Sequence, residues 1–139
     1  TDLTKIPNNF YRTSIKALIL DENQRFMLIL ENNGLWELPG GGLNFGEQPE
    51  ACLKRELQEE MGLEVIQIKK YPAYFVTALN INGVWKSIIV YETEVKDPNF
   101  TASQECLELK FFSRSEALKV KLYPTVKEFL AVYNPDRHK

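Results

Sequence analysis

Apolar residues alternate with polar ones, or gather in short blocks, along most of this 139-residue chain. Blocks of this length, rich in β-branched and aromatic residues and bounded by Asn, Asp or Gly, are typical of β-strands. We predict strands over residues 14–20, 25–31, 65–79, 84–95 and 106–112, with a break at Pro72. The first two strands are predicted to form a hairpin. Asn82-Gly83, a strong hairpin turn signal, joins the third and fourth strands.

One segment instead repeats its apolar residues at helical spacing. It follows three consecutive glycines, Gly40–Gly42, which together with Pro39 predict a loop. Pro49 suits the first turn of a helix, and Gly62 suits the position just after the last turn. The helix between them is predicted to bury one apolar stripe, formed by Leu53, Leu57 and Met61.

Two further helices are predicted near the end of the chain. Ser113 and Glu116 have capping-box spacing for a short helix over residues 114–119, and an amphipathic helix is predicted over 124–133. Residues 1–12 are predicted to be an irregular arm. Strands interspersed with helices, and hairpins that exclude an all-parallel sheet, predict an α/β fold with a mixed sheet and helices on both faces. The length predicts one domain over residues 1–139.

The predicted central helix carries an unusual acidic face. Glu56, Glu59 and Glu60 are spaced so that their carboxylates lie side by side. Such a face is either fully solvated or neutralised by a cation. Oxygen ligands favour Mg²⁺ or Mn²⁺, and Mg²⁺ commonly recruits phosphate oxygens as well. Together with the glycines, the acids suggest chemistry on a phosphate ester or diphosphate.

This stretch resembles the signature of the Nudix hydrolases. The signature's seven fixed residues are all present at the required spacing, as Gly41, Glu47, Arg55, Glu56, Glu59, Glu60 and Gly62, and its two aliphatic positions are Leu57 and Leu63. A chance match at seven fixed positions is on the order of one in a million. The resemblance implies a Nudix-like α/β/α sandwich with a mixed β-sheet and a Mg²⁺-dependent pyrophosphohydrolase, with Mn²⁺ as an alternative ion.

The resemblance also implies roles for individual residues. Metal ligands would be the carboxylates of Glu56, Glu59 and Glu60 and the backbone carbonyl of Gly40. Arg55 would orient the acids through charge-assisted hydrogen bonds. Glu47 would stabilise the metal site without binding the ion itself. From spacing alone, Arg55 is equally a surface arginine, and Glu47 is equally a favourable charge at a helix N-terminus.

The general base is open between two places in the chain. Family members use either an acid of the signature, for which Glu59 is the first choice, or an acid in a later loop or strand. Glu105 is the first late candidate and Glu108 the second. Each of the two late acids is also consistent with an ordinary surface residue.

The composition of the chain limits which kinds of partner we expect it to bind. A net charge of -2 gives no sign of a nucleic-acid or anionic-membrane surface, and no apolar run approaches the length of a membrane span. Because no charged segment with an apolar core opens the sequence, we predict a cytoplasmic protein with no membrane partner. Homodimers are common among similar proteins, so a homodimer is one predicted assembly.

The predicted reaction is hydrolysis of the diphosphate linkage in a nucleoside diphosphate derivative. A nucleoside triphosphate or a nucleotide sugar is the expected substrate, and the products are a nucleoside monophosphate derivative and a phosphate. Two alternatives remain open. One is a regulatory module that binds a nucleotide without turnover, and the other is RNA-end processing, which would require a basic path on the surface.

Overall fold

The computed structural model describes residues 2–5 and 9–139. The strands of this part of the chain are β1 (Arg12–Leu18), β2 (Phe26–Leu30), β3 (Trp36–Glu37), β4 (Gly40–Gly42), β5 (Val65–Ile68), β6 (Tyr74–Leu79), β7 (Trp85–Val95) and β8 (Glu108–Phe112). The helices are α1 (Pro49–Met61), α2 (Arg114–Ala117) and α3 (Pro124–Val132), with 3₁₀ turns at Leu3–Lys5 and Pro135–His138.

The strands form two sheets. One has the order β4-β1-β7-β5, with β6 also paired to β7, and the other has the order β3-β2-β8. Strands β1 and β7 run parallel, whereas the other pairs are antiparallel. The predicted mixed α/β architecture is therefore confirmed.

The two sheets bury apolar side chains on both faces. Period-two alternation sends alternate residues of β1 and β2 to opposite sides. The cluster on the side of α1 includes Ile15, Ala17, Met27, Ile29, Leu53, Leu57 and Met61. The cluster on the side of α3 includes Leu18, Phe26, Leu28, Val76, Val90, Val126 and Phe129. The sheets thus lie between α1 and α3, as in the predicted α/β/α sandwich. Among the described residues, no helix is long and apolar enough to cross a membrane.

The first predicted hairpin exists only beside its turn. Backbone hydrogen bonds join Asp21 to Arg25 and Met27 to Ile19, at 3.0 and 2.9 Å. Beyond the turn the two strands separate into different sheets, because β1 pairs with β4 and β7 while β2 pairs with β3 and β8. Both strands have apolar residues on both faces, so each is buried at the centre of a sheet and not at the edge of a ribbon.

The glycine segment is a strand, which corrects the predicted loop. Gly40–Gly42 pairs antiparallel with β1 as β4. Gly40 has a φ of 126°, and a Cβ atom there would lie 2.1 Å from the carbonyl oxygen of Ile15. Side chains are excluded here because the backbone lies directly against β1. The loop that the glycines predicted comes afterwards, between β4 and α1.

Most other sequence predictions hold. Helix α1 begins at Pro49 and ends at Met61, and the next residue, Gly62, has a left-handed φ of 68° and donates its N–H to the carbonyl oxygen of Gln58. The break at Pro72 separates β5 from β6. The turn signal joins β6 to β7, and α2 has its predicted capping box. In the predicted N-terminal arm, Leu3–Lys5 is a 3₁₀ turn and β1 starts at Arg12, while residues 1 and 6–8 lie outside the described residues.

We expect Leu57→Ala to lower the free energy of unfolding by about 2–5 kcal/mol, because it removes a large side chain from a tightly packed core. Leu57 is fully buried beneath α1, whereas Leu118 is 64% exposed. Leu118→Ala is the matched control, with an expected change of about 0.5 kcal/mol or less. Urea denaturation measures both. Equal effects of the two substitutions would contradict the packing described for α1.

Candidate active site

The acids of α1 lie at graded depths beside β4. Burial of Leu53, Leu57 and Met61 fixes the rotation of the helix about its axis. Glu60 is then 4% exposed. The side chain of Glu56 is 15% exposed and that of Glu59 is 59% exposed. The predicted acidic face is therefore a gradient that runs from the protein interior to solvent.

Arg55 joins these acids to the loop before the helix. Its Nε and Nη2 atoms each donate to Glu47 at 2.8 Å, and its Nη1 donates to Glu56 at 2.7 Å. A longer contact of 3.5 Å reaches Glu59, and Nη2 also donates to the carbonyl oxygen of Gly42 at 3.2 Å. Hydrogen bonding to the guanidinium lowers the pKa of Glu47 to about 2 and raises the pKa of Arg55. These are the contacts expected of an orienting arginine.

Glu56 occupies space that exists only because Gly41 has no side chain. A Cβ atom on Gly41 would lie 2.4 Å from the carboxyl carbon of Glu56, well inside any real contact distance. The carboxylate therefore packs against the backbone of β4. This steric requirement gives the first glycine of the signature a definite physical role.

Glu60 is the buried acid of the group. Its Oε1 accepts a 3.0 Å hydrogen bond from the backbone N–H of Gly40. Burial raises its pKa to about 8, with smaller contributions from the charges of Glu56 and Glu105. Lys16 and the Gly40 N–H act in the opposite direction but do not outweigh burial. No other described residue donates a hydrogen bond to this carboxylate, so Oε2 remains available to a cation.

Lys16 is a component of the site that the sequence analysis missed. Its Nζ donates to the carbonyl oxygens of Leu38 and Gly40, both at 3.2 Å, and lies 4.0 Å from Glu37. The residue is only 6% exposed. The signal was present, because a lysine inside the apolar strand predicted over 14–20 must either reach the surface or find buried partners.

One of the two late acids lies near α1. The loop before β8 is attached to the end of the helix, where Ser103 Oγ donates to the carbonyl oxygen of Glu60 at 2.7 Å. Glu105 donates its backbone N–H to the same hydroxyl, and its charge acts on Glu60. Glu108 instead lies in β8, paired with Leu30, and is exposed. The position of Glu105 near the end of α1 therefore makes it a better candidate for the general base than Glu108.

The residues fit a hard divalent cation. The candidate donors are all oxygens, and the buried Glu60 has a raised pKa that a positive charge would reverse. Among residues 2–5 and 9–139, however, no three His, Cys, Asp or Glu side chains converge as a metal site. Glu56 and Glu59 are engaged by Arg55, and the carbonyl of Gly40 accepts from Lys16.

Comparison with known proteins gives one family. The family model described as NUDIX domain matches residues 10–133. The MutT protein from Methanosarcina mazei Go1 has a crystal structure that superposes with a TM-score of 0.72 at 25% identity, covering 96% of this chain and 98% of that one.

Sequence relatives align around shorter stretches. The 8-oxo-dGTP diphosphatase of Proteus vulgaris is 59% identical over 34 residues, which are 24% of this chain and 30% of that protein. The RNA pyrophosphohydrolase of Acinetobacter baylyi is 35% identical over 66 residues, which are 45% of this chain and 40% of that protein. The alignments thus span less than half of either relative.

We expect Gly41→Ala to lower the free energy of unfolding by about 1 kcal/mol, because the methyl group displaces the carboxylate of Glu56 from its hydrogen bond with Arg55. Gly42→Ala is the matched control. The nearest atom to its added methyl group is an Arg12 nitrogen at 3.9 Å, so we expect little loss of stability. Thermal and urea unfolding measure both variants. Equal destabilisation at the two positions would contradict the packing of Glu56 against Gly41.

Proposed function

Because the chain belongs to the NUDIX domain family, we propose that it is a Mg²⁺-dependent pyrophosphohydrolase acting on a nucleoside diphosphate derivative. Water attacks one phosphorus of the diphosphate, and the bond from that phosphorus to the bridging oxygen breaks. The products are a nucleoside monophosphate and a phosphate product, which is pyrophosphate from a nucleoside triphosphate and a sugar phosphate from a nucleotide sugar. Mn²⁺ is the alternative ion, since it accepts the same oxygen ligands.

The observation that carries this proposal is the attachment of the acids to β4 and to Arg55. Glu60 is held by the Gly40 N–H, and Glu56 is held between Gly41 and Arg55. Two carboxylates are thereby fixed next to a strand whose lack of side chains lets a phosphate approach the backbone. A merely solvated acidic face would need neither the burial of Glu60 nor the guanidinium at its centre.

The protein's own residues have distinct tasks in the reaction. Glu59 is the proposed general base, because its carboxylate is exposed and its contact with Arg55 is long, which leaves it able to accept the proton of the attacking water. Glu105 is the alternative base. Arg55 keeps Glu56 in place and Glu47 anchors Arg55 from the loop. A bound Mg²⁺ would supply Lewis-acid activation of water and charge neutralisation.

The proposed substrate is a nucleoside triphosphate, with a nucleotide sugar as the next candidate. The similarity to an 8-oxo-dGTP diphosphatase supports the triphosphate. Exposed aromatic residues at the β6–β7 hairpin, including Phe75 and Trp85, offer surfaces on which a base can stack. Tyr74 and Phe112, by contrast, are core residues.

A second candidate is the triphosphorylated end of an RNA. Two observations favour it, namely the similarity to an RNA pyrophosphohydrolase and three basic residues, Arg12, Lys16 and Lys86, that share a face of the sheet. The net charge of the chain gives no hint of this local basic surface.

Three expectations stay predictions. They are a homodimer, a cytoplasmic location, and one domain over residues 1–139. Within residues 2–5 and 9–139, β6 pairs with β7 alone, and the exposed side chains of Phe75 and Leu79 make it the strand that a second copy would use.

We expect Glu59→Gln to lower turnover of the preferred nucleotide about a hundredfold, as is usual when a general base is removed. Phosphate and pyrophosphate release from a panel of nucleoside triphosphates, nucleotide sugars and triphosphorylated RNA, with Mg²⁺ and with EDTA, provides the measurement. Glu105→Gln tests the alternative base. Glu64→Gln, at an exposed acid that pairs with Lys96, is the control.

Metal-dependent turnover that is lost in Glu59→Gln and kept in Glu64→Gln supports the enzyme. A folded protein that binds a nucleotide of the panel but hydrolyses no member of the panel would contradict this proposal and favour the regulatory module.

A further inference from the structure

Three cations lie on one face of the sheet, behind the acidic site. Arg12, Ser14 and Lys16 alternate along β1, so their side chains share a face. Lys86 is the partner of Arg12 on β7, and its Nζ donates to Ser14 Oγ at 3.2 Å. Three positive side chains from two neighbouring strands therefore converge on the same surface.

Few acids lie within ion-pair distance of these three cations. Lys16 has a distant carboxylate, Glu37 at 4.0 Å. Arg12 and Lys86 form no ion pair with any acid in the described part of the chain. Burial lowers the pKa of Lys86, and repulsion from Lys16 and Arg12 lowers it further, despite the attraction of Glu37 and Glu31. Folding thus holds like charges together, at a cost that a bound anion would offset.

One of the cations and one of the acids both contact the backbone of Gly40. Residue Ile15 packs on the side of α1, so the even-numbered cations of β1 lie on the opposite side of the sheet. Gly40 on the edge strand β4 connects the two sides. Its N–H donates to Glu60, whereas its carbonyl oxygen accepts from Lys16.

The third cation, Arg12, also lies beside strand β4. The Arg12 guanidinium lies above Gly42, 3.9 Å from where a methyl group on that glycine would stand. The positive side chains therefore run along β4 from Gly40 to Gly42, on the side away from α1.

We propose that Arg12, Lys16 and Lys86 form a subsite for the phosphate chain of a triphosphate, which passes around the edge of β4 from the acids of α1 to these cations. The inference rests on the proposed hydrolase function and adds the residues that bind the phosphates of its triphosphate substrate. Lys16 contacts the phosphate nearest Gly40, and Lys86 and Arg12 receive the phosphates farther along the chain.

This arrangement selects a triphosphate over a nucleotide sugar. A triphosphate carries more negative charge and has a terminal phosphate that can engage more than one cation. A nucleotide sugar would place neutral hydroxyl groups against the half-buried Lys86. The triphosphate has two sources, a free nucleotide or the end of an RNA, and both present the same group to these side chains.

The test is calorimetric binding of a methylene-bridged, non-hydrolysable nucleoside triphosphate to the full chain with Mg²⁺. We expect Lys86→Met to raise the Kd about tenfold, because one charge-assisted hydrogen bond is lost. Lys86→Arg should restore most of the affinity. The Kd of a nucleoside diphosphate sugar should change about threefold or less, which is the scale of a screened charge at a distance.

Lys16→Met gives a second test of the same subsite. Because Lys16 is buried beside Glu37, that variant is paired with Lys16→Met/Glu37→Gln, which removes the unpaired acid and protects folding. Lys54→Met is the matched control. Its lysine is exposed on α1 and pairs with Glu50, so it removes the same charge without touching the subsite.

Two further comparisons decide the outcome. A triphosphorylated RNA oligonucleotide that binds much more tightly than the free analogue, with the same dependence on Lys86, identifies RNA as the source, and equal or weaker binding identifies the free nucleotide. Unchanged triphosphate affinity in both Lys86→Met and the double variant would overturn the subsite. Hydrolysis is scored separately, so loss of the subsite with turnover intact, or absence of turnover with the subsite intact, tells the two proposals apart.

Discussion

The close approach of α1 to a strand without side chains is the constraint on which the rest of the site depends. Glu56 lies where a side chain on Gly41 would stand, and Glu60 is held by the N–H of Gly40. Gly40 can lie against Ile15 only because it has no Cβ atom. The glycines therefore set the distance between helix and sheet, while the apolar stripe of α1 sets the rotation of the helix. Neither alone would place a carboxylate beside a backbone amide.

Charge is distributed around this contact in two opposed groups. The acids of α1 lie on one side of the edge strand, and the cations of β1 and β7 lie on the other. For Glu60 burial is the dominant effect, since its pKa remains raised although Lys16 and a backbone N–H both favour the charged form. Arg55 shows the opposite balance, because its fork of hydrogen bonds to Glu47 outweighs burial and lowers the pKa of that acid. One acid is thus prepared for a cation, and the other serves as a fixed anchor.

Local signals in the sequence predicted much of this arrangement. The limits of α1, its glycine cap, the break at Pro72 and the β6–β7 hairpin all follow from the residues at those positions. Two features were missed because they depend on contacts distant in sequence. Gly40–Gly42 has loop composition but becomes a strand through pairing with β1, and residues 14–20 and 25–31 look like a hairpin but belong to different sheets.

The candidate site was predictable to a similar extent. Its acids and Arg55 were found through a complete signature with fixed spacing. Lys16 was not, because its importance depends on the carbonyl of Gly40, which only the fold brings next to it. Periodicity also placed the three acids on one face, but it does not specify depth, which separates the buried Glu60 from the exposed Glu59.

We propose that a divalent ion is held by the carbonyl oxygen of Gly40 together with at least one carboxylate of α1. Anomalous diffraction from a crystal grown with Mn²⁺ and a non-hydrolysable nucleotide tests it most directly. We expect a manganese peak within about 2.5 Å of the Gly40 carbonyl oxygen and of at least one carboxylate of α1, as direct ligation requires. A structure with bound nucleotide and manganese only at other positions would contradict the claim.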